Sequence, residues 1–329
     1  MRAAVYDTYG PAEVVSLQNI ARPDIGPAEV LVQVIASSVT TADWRIRASA
    51  FPAYSWLFGR LMFGLFRPRN PVLGMEFAGR VVEVGRDVTK FAVGDEVFGM
   101  AARGAHAELL AVAQDAAIAK KPSNVAFHEA AAVPFGAIAS LVFLRDHGKI
   151  TAGQRVLVNG AAGGLGVFAV QLAKHFGAHV TAVTSAGNRD LVRALGADRA
   201  IDYRAGDWAA ADEQYDVVID PVGKTSFAQA SRVLRPDGIY VPIEFGVGDI
   251  FRALLHRKGP KTSIGISTDS QADLDIVAGL LESGAIRPVI DGRYPLSRIH
   301  DAYRRVETRH KTGSVVVDVA PGGALRLVA

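Results

Sequence analysis

The stretch Val156-Leu-Val-Asn-Gly-Ala-Ala-Gly-Gly-Leu-Gly166 decides the fold of this chain. A short apolar run breaks into glycines, and Val167-Phe-Ala-Val-Gln-Leu-Ala-Lys-His-Phe176 follows with helical apolar spacing. That order, strand then glycine turn then helix, is the order of a dinucleotide site. The turn must be tight, the backbone must approach a pyrophosphate, and the helix N-terminus must supply N–H donors without intrahelical partners. The spacing is Gly160-x-x-Gly163-x-x-Gly166 rather than G-x-G-x-x-G, so the flanking strand and helix carry the reading.

The rest of the chain fits a globular protein of two domains. Of 329 residues, 50% are hydrophobic and 21% charged, and the net charge is +3. Lys and Arg are scattered among acids without a basic stripe, which argues against a nucleic-acid partner. There is no cysteine, which excludes disulfides, thiolate metal sites and a thiol nucleophile. The start, Met1-Arg-Ala-Ala-Val-Tyr6, runs straight into a strand-like pattern without a charged-then-apolar leader. No transmembrane segment is expected, and the expected location is cytoplasmic.

Residues 1–122 read as strands and turns, for example Val30–Ile35, Gly79–Val84 and Asp95–Phe98. Residues 123–262 alternate strand and helix, which predicts a parallel sheet. Its strands are expected at Val156–Val158, Val180–Val183, Arg199–Asp202, Val217–Ile219 and Ile239–Ile243. Residues 263–329 return to two helices and a final strand, Gly313–Val319, which would complete the first domain.

Several motifs in order then resemble the medium-chain dehydrogenase/reductase superfamily, and within it the zinc-free quinone oxidoreductase-like reductases. They are Gly74-Met-Glu-Phe-Ala-Gly-Arg-Val-Val-Glu-Val-Gly85, Val93-Gly-Asp-Glu-Val-Phe-Gly99, the glycine turn, Val217-Val-Ile-Asp-Pro-Val-Gly223 and His310-Lys-Thr-Gly-Ser-Val-Val-Val317. The resemblance implies an α/β protein: a GroES-like β-barrel catalytic domain (1–122, completed by 263–329), an inserted Rossmann coenzyme domain (123–262), and a cofactor cleft between them. A homodimer paired through Rossmann edge strands is a further expectation.

Zinc-dependent relatives place Cys and His where this chain has Thr40 and Met75. A hydroxyl and a thioether are poor substitutes for thiolate and imidazole, so no metal is expected. An NAD site commonly ends its second strand in an acid that binds the ribose. Here the strand His179-Val-Thr-Ala-Val-Thr184 runs into Ser185-Ala-Gly-Asn-Arg189, and the first acid is Asp190. Thr184, Ser185, Asn188 and Arg189 suit a 2′-phosphate, so the expected cofactor is NADPH. By the resemblance, Tyr203 joins that phosphate site. Gly160, Ala162, Gly163, Gly164, Leu165 and Gly166 cradle the pyrophosphate, with Gly163, Gly164 and Leu165 presenting N–H groups. Val222, Phe245 and Gly246 approach the nicotinamide, and Lys311 is a basic position near the cofactor. Ala139 stands where relatives often carry Thr.

The implied reaction is hydride transfer between NADPH and a quinone, enone or related apolar carbonyl. Candidates for stabilising or protonating the resulting oxyanion are Thr40, where relatives often have Asn, with Asp43 and Tyr54. The segment Ala50–Pro71 crowds apolar residues around Arg60, Arg67 and Arg69. It reads as a cap packed on the barrel, a lid over the substrate, or an interfacial helix. The competing function is an NADPH-binding sensor or structural protein with little turnover.

Overall fold

The structure is a computed structural model that describes residues 1–51, 55–102, 104–210, 213–255 and 258–320. It divides into two compact units. The first holds Met1–Phe135, Asp269–Ser283 and the chain from Pro288 onward; the second holds Gly136–Thr268 and Gly284–Arg287.

The first unit is built on β3 (Glu29–Val39), a long central strand that pairs antiparallel with β4 (Glu76–Val84), β6 (Leu109–Ala113) and β15 (Ser314–Asp318). Period-two patterning places Val30, Val32 and Val34 in one fully buried layer with Phe77, Val97, Ile118, Val315 and Val317. The full sheet order is β14–β15–β3–β4–β5–β7, where β5 is Glu96–Met100, β7 Ile118–Lys120 and β14 Ile290–Pro295. A separate hairpin pairs β1 (Arg2–Tyr6) with β2 (Val15–Asn19). Helices α1 (Thr41–Ala48) and α2 (Trp56–Phe63) follow β3, and α10 (Ile299–Glu307) lies in sequence between β14 and β15.

The second unit is a six-stranded parallel sheet. Its strands are β8 (Arg155–Asn159), β9 (His179–Thr184), β10 (Arg199–Asp202), β11 (Tyr215–Asp220), β12 (Leu234–Pro242) and β13 (Lys261–Thr262). The order β10–β9–β8–β11–β12–β13 reverses direction at β8, the doubly wound arrangement whose ligands bind outside the strand ends at that switch point. Helix α5 (Gly166–His175) follows β8 and is buried from Gly166 to Ala173, which explains why its sequence is apolar nearly all round.

The first unit extends further than residue 122. Helix α3 (Phe127–Ala130) packs on β3 and β4, and the Phe135 N–H donates to Glu76, so this stretch belongs with the barrel. The later join falls at 268/269, because the Gln271 side chain of α9 (Gln271–Glu282) accepts from the Ile118 N–H. Residues 284–287 return to the second unit through paired bonds between Gln171 and the Arg287 backbone, at 2.9 and 3.0 Å. One helical run, Phe127–His147, is long and apolar enough to cross a membrane, and 78% of its most apolar window is buried.

Candidate functional site

The glycine turn of the second unit is shaped by backbone contact. Gly160 has φ +74°, and a Cβ there would lie 2.6 Å from Val222 Cγ1. A Cβ on Gly166 would lie 2.2 Å from the Gly160 carbonyl oxygen, so this glycine lets α5 start directly against the strand end. At Gly163 a Cβ would lie 3.3 Å from the Gly160 carbonyl oxygen, a tight contact but a much smaller overlap than at the other two. The Gly160 and Ala161 N–H groups donate to the Val183 carbonyl, and the Gly163 N–H donates to Gly160 at 3.0 Å.

That last bond corrects one expectation. The Gly163 N–H is already used to close the turn. The N–H groups of Ala162, Gly164, Leu165 and Gly166 make no hydrogen bond among the described residues, and these are the donors that remain for an anion.

Support for the turn comes partly from residues that pattern reading missed. Asn159, at the end of β8, donates through Nδ2 to Thr225 Oγ1 at 2.8 Å and to Asp220 at 3.3 Å. The Asp220 carboxylate also accepts from the Thr225 N–H at 2.6 Å and the Val222 N–H at 3.1 Å. Burial raises its pKa despite these bonds. This knot holds Val222 against Gly160. The Ile243 N–H donates to the Asp220 carbonyl, so the segment leading to Phe245 and Gly246 leaves the same end of the sheet. On α4 (Pro134–Val142), the buried Ser140 hydroxyl donates to the Leu165 carbonyl at 2.9 Å, one residue beyond Ala139. The polar residue before Gly160 and the acid closing β11 were the available sequence signals.

At the tip of β9, Thr184 is buried and Ser185 half-buried, and Asn188 Nδ2 donates to Ser185 Oγ at 3.3 Å. Arg189 is exposed and makes no ion pair or hydrogen bond among the described residues. Asp202 is in register with Thr184, and the Tyr203 N–H donates to the Thr184 carbonyl, which sets Tyr203 beside this tip. The Arg204 guanidinium lies 5.6 Å from the centre of the Tyr203 ring and adds a cation that sequence reading did not single out.

In the first unit, Thr40 ends β3 and caps α1. Its hydroxyl donates to Asp43 Oδ2 at 2.7 Å and accepts from the Asp43 N–H, while the Thr40 N–H donates back to Asp43. Asp43, fully buried, also accepts from the Gly74 N–H at 3.0 Å. The Thr40 proton is thus directed at Asp43, and Asp43 ties the loop after β3 to the strand carrying Glu76. Tyr54 lies outside the described residues.

Glu76 was read only as part of a motif, yet it is the most perturbed acid of this unit. It is buried, accepts from the Phe135 N–H at 2.7 Å and receives a short bond from the Ser38 hydroxyl. Burial pushes its pKa up to about 7; Asp43 adds to the rise and Lys311 opposes it. Lys311 is partly buried, donates to the Gly313 carbonyl, and burial pulls it down to about 8 against the fields of Glu76 and Asp291.

The Glu76 shift fixes a pH dependence. An acid whose pKa is higher folded than unfolded stabilises fully below its unfolded value of 4.5, and that contribution is lost as pH rises through about 7. Glu76→Gln should therefore gain in Tm relative to the parent as pH goes from 5 to 8, with an upper limit of about 3 kcal/mol. Lys311, protonated in both states below about 7, contributes no slope over most of this window. Parallel Tm curves for parent and variant would contradict the assignment.

Comparison with known proteins gives these features their context. The alcohol dehydrogenase GroES-like domain family matches residues 26–148, and the zinc-binding dehydrogenase family matches 195–317. The chain is 34% identical to 2-methylene-furan-3-one reductase of Solanum lycopersicum, over 98% of this chain and 80% of that one. It is 33% identical to NADPH-dependent alkenal/one oxidoreductase of Arabidopsis thaliana, with the same coverage. The chain belongs to the medium-chain dehydrogenase/reductase superfamily, in its quinone oxidoreductase-like branch. The solved quinone oxidoreductase of Coxiella burnetii superposes with TM-score 0.85 at 28% identity, covering 97% of this chain and 99% of that one. The protein is an NAD(P)H-dependent oxidoreductase of the quinone oxidoreductase and alkenal reductase type.

The zinc named in one matching family does not fit this donor set. Thr40 offers a hydroxyl already bonded to Asp43, and Met75 a thioether, and among the described residues no group of three His, Asp or Glu is placed to hold a metal. The turn, by contrast, fits a pyrophosphate through the N–H groups of Ala162, Gly164, Leu165 and Gly166, which make no hydrogen bond among the described residues.

Proposed function

We propose that this oxidoreductase is a zinc-independent, NADPH-preferring reductase of enones, quinones or related apolar carbonyls. The observation that carries the cofactor preference is the tip of β9: no carboxylate ends the strand, Asn188 bonds Ser185 and the Tyr203 N–H bonds Thr184 there, and Arg189, next in the chain, is exposed with no ion pair among the described residues. Bound at the turn, NADPH would supply a hydride to an electron-poor carbon.

The protein's part is to hold and to exclude. Ala162, Gly164, Leu165 and Gly166 bind the pyrophosphate through their N–H groups, and Gly160 and Gly163 keep side chains out of its space. Arg189, with Ser185, Asn188 and Tyr203, selects the 2′-phosphate. Thr184 closes β9 beneath them, and Val222, Phe245 and Gly246 shape the nicotinamide end. Thr40 and Asp43 act as positioning residues that fix the loop after β3, and solvent supplies the proton that follows the hydride. The proposed setting is cytoplasmic, and the proposed assembly is a homodimer.

Fluorescence titration with NADPH, then NADPH oxidation across an enone and quinone panel, tests this reading. Turnover with at least one class is expected. Tight binding without oxidation across both classes would favour the second reading, a sensor or structural protein. That reading draws on the Thr40 proton being held by Asp43.

A further inference from the structure

We propose that α2 and the turn after it form a docking surface for an anionic phospholipid membrane. Trp56, Leu57, Phe58, Leu61, Met62 and Phe66 all face solvent, with Phe58 68% and Phe66 84% exposed. Isolated exposed apolar residues are ordinary, but six large ones within eleven positions form a contiguous patch of the kind that marks an interaction site. Of the cap, lid and interfacial-helix readings, this outward face favours the last: the helix turns most of its apolar side chains away from the barrel.

The outward orientation is held from behind. Phe51 and Phe63 stack at 5.7 Å and pack on the barrel core. Gly59 lies so close to Phe51 that a Cβ would be 2.7 Å from the ring. Tyr9 donates its hydroxyl to the Gly64 carbonyl at 2.7 Å, and its ring carries the Arg60 guanidinium at 3.9 Å. Arg60 also donates to the Leu65 carbonyl at 2.8 Å, and the Arg69 N–H donates to Phe63 at the same distance. The inner face is thus fixed, and the outer apolar side chains stay exposed.

Charge selects the occupant. From Trp44 to Met75 the chain contains no acidic residue. Arg67 and Arg69 are exposed and make no ion pair among the described residues, and Arg60 stacks between Tyr9 and Trp56. A second copy meeting this patch about a two-fold axis would set arginines against arginines, with no carboxylate in the segment to relieve them. An anionic lipid surface satisfies both components. Trp, Phe and Leu enter the headgroup and upper acyl region, while the arginines stay at phosphate level. Each basic residue near such a surface adds about 1 kcal/mol, fading within a Debye length. The proposal is independent of substrate and cofactor.

Vesicle flotation of the full chain tests it, with vesicles of phosphatidylcholine alone and with vesicles in which about a third of the lipid is phosphatidylglycerol. Binding is expected to the anionic vesicles, with at least tenfold weaker binding to the neutral ones and a fall with added salt. Arg67→Gln with Arg69→Gln should weaken anionic binding about tenfold or more and flatten the salt response. Phe58→Ser with Phe66→Ser should abolish binding. Both pairs alter exposed side chains, and unchanged Tm confirms that each variant folds. No flotation with anionic vesicles, or flotation unaltered in both folded variants, overturns the proposal. A dimer in sedimentation that Phe58→Ser dissolves, without flotation of the parent, overturns it in favour of a second copy. Protection of the segment by NADPH and substrate, again without flotation, overturns it in favour of a lid.

Discussion

Gly166→Ala should lower both stability and NADPH affinity, whereas Gly163→Ala should lower affinity with a much smaller loss of stability. The new Cβ at 166 would meet the Gly160 carbonyl oxygen at 2.2 Å and the Ala161 backbone at 2.8 Å. Those atoms are backbone, so relief requires the turn and the start of α5 to separate. Overpacking of this kind costs about 1–3 kcal/mol, and the displaced N–H groups no longer converge. A Tm loss of several degrees and an NADPH Kd raised by at least tenfold are expected. At 163 the new Cβ would lie 3.3 Å from the same Gly160 oxygen, which must give by a few tenths of an ångström rather than separate the turn from the helix, and the methyl occupies the space assigned to the pyrophosphate. Thermal melts and fluorescence titration of the two variants separate the effects. Parent-like NADPH affinity in Gly163→Ala would remove the pyrophosphate from the turn.

Arg189→Ala should weaken NADPH by about ten- to a hundredfold and leave NADH nearly unchanged. The guanidinium is exposed and has no partner to lose among the described residues, so its removal carries little structural cost. Hydrogen bonds to charged groups contribute about 1.5–3 kcal/mol, which sets the size of the loss. Binding constants for both cofactors in parent and variant give the answer. Equal losses for the two would mean that Arg189 does not read the 2′-phosphate.

Much of this was legible in the residues because local chemistry dictated it. The apolar strand before Gly160, the glycines and the helical spacing after them leave few alternatives, and the observed β8, turn and α5 follow that pattern. The strands at 180, 199 and 217 were likewise marked by β-branched runs. What escaped was whatever depends on partners distant in sequence. Asn159 and Asp220 look like ordinary strand-end polar residues until β8 and β11 pair. Glu76 becomes a perturbed acid only when Ser38 and the Phe135 N–H close over it. Gly163 satisfied the motif, yet its N–H bonds within the turn, a detail of backbone direction that composition does not encode. The outward face of α2 escaped for a related reason. Periodicity identifies an apolar helix, but Tyr9, Phe51 and Gly64 decide which side is anchored.

The proposed reaction is hydride transfer from NADPH, and isotope transfer reads it directly. The protein is incubated with NADPH carrying deuterium at the nicotinamide C4, an enone such as a simple alkenal, and ordinary water. The expected product carries deuterium at the β-carbon and solvent hydrogen at the α-carbon, with NADPH consumed in equal amount. Saturable NADPH binding with no deuterium in any enone product and no NADPH consumed with quinones would contradict the assignment of a reductase to this site.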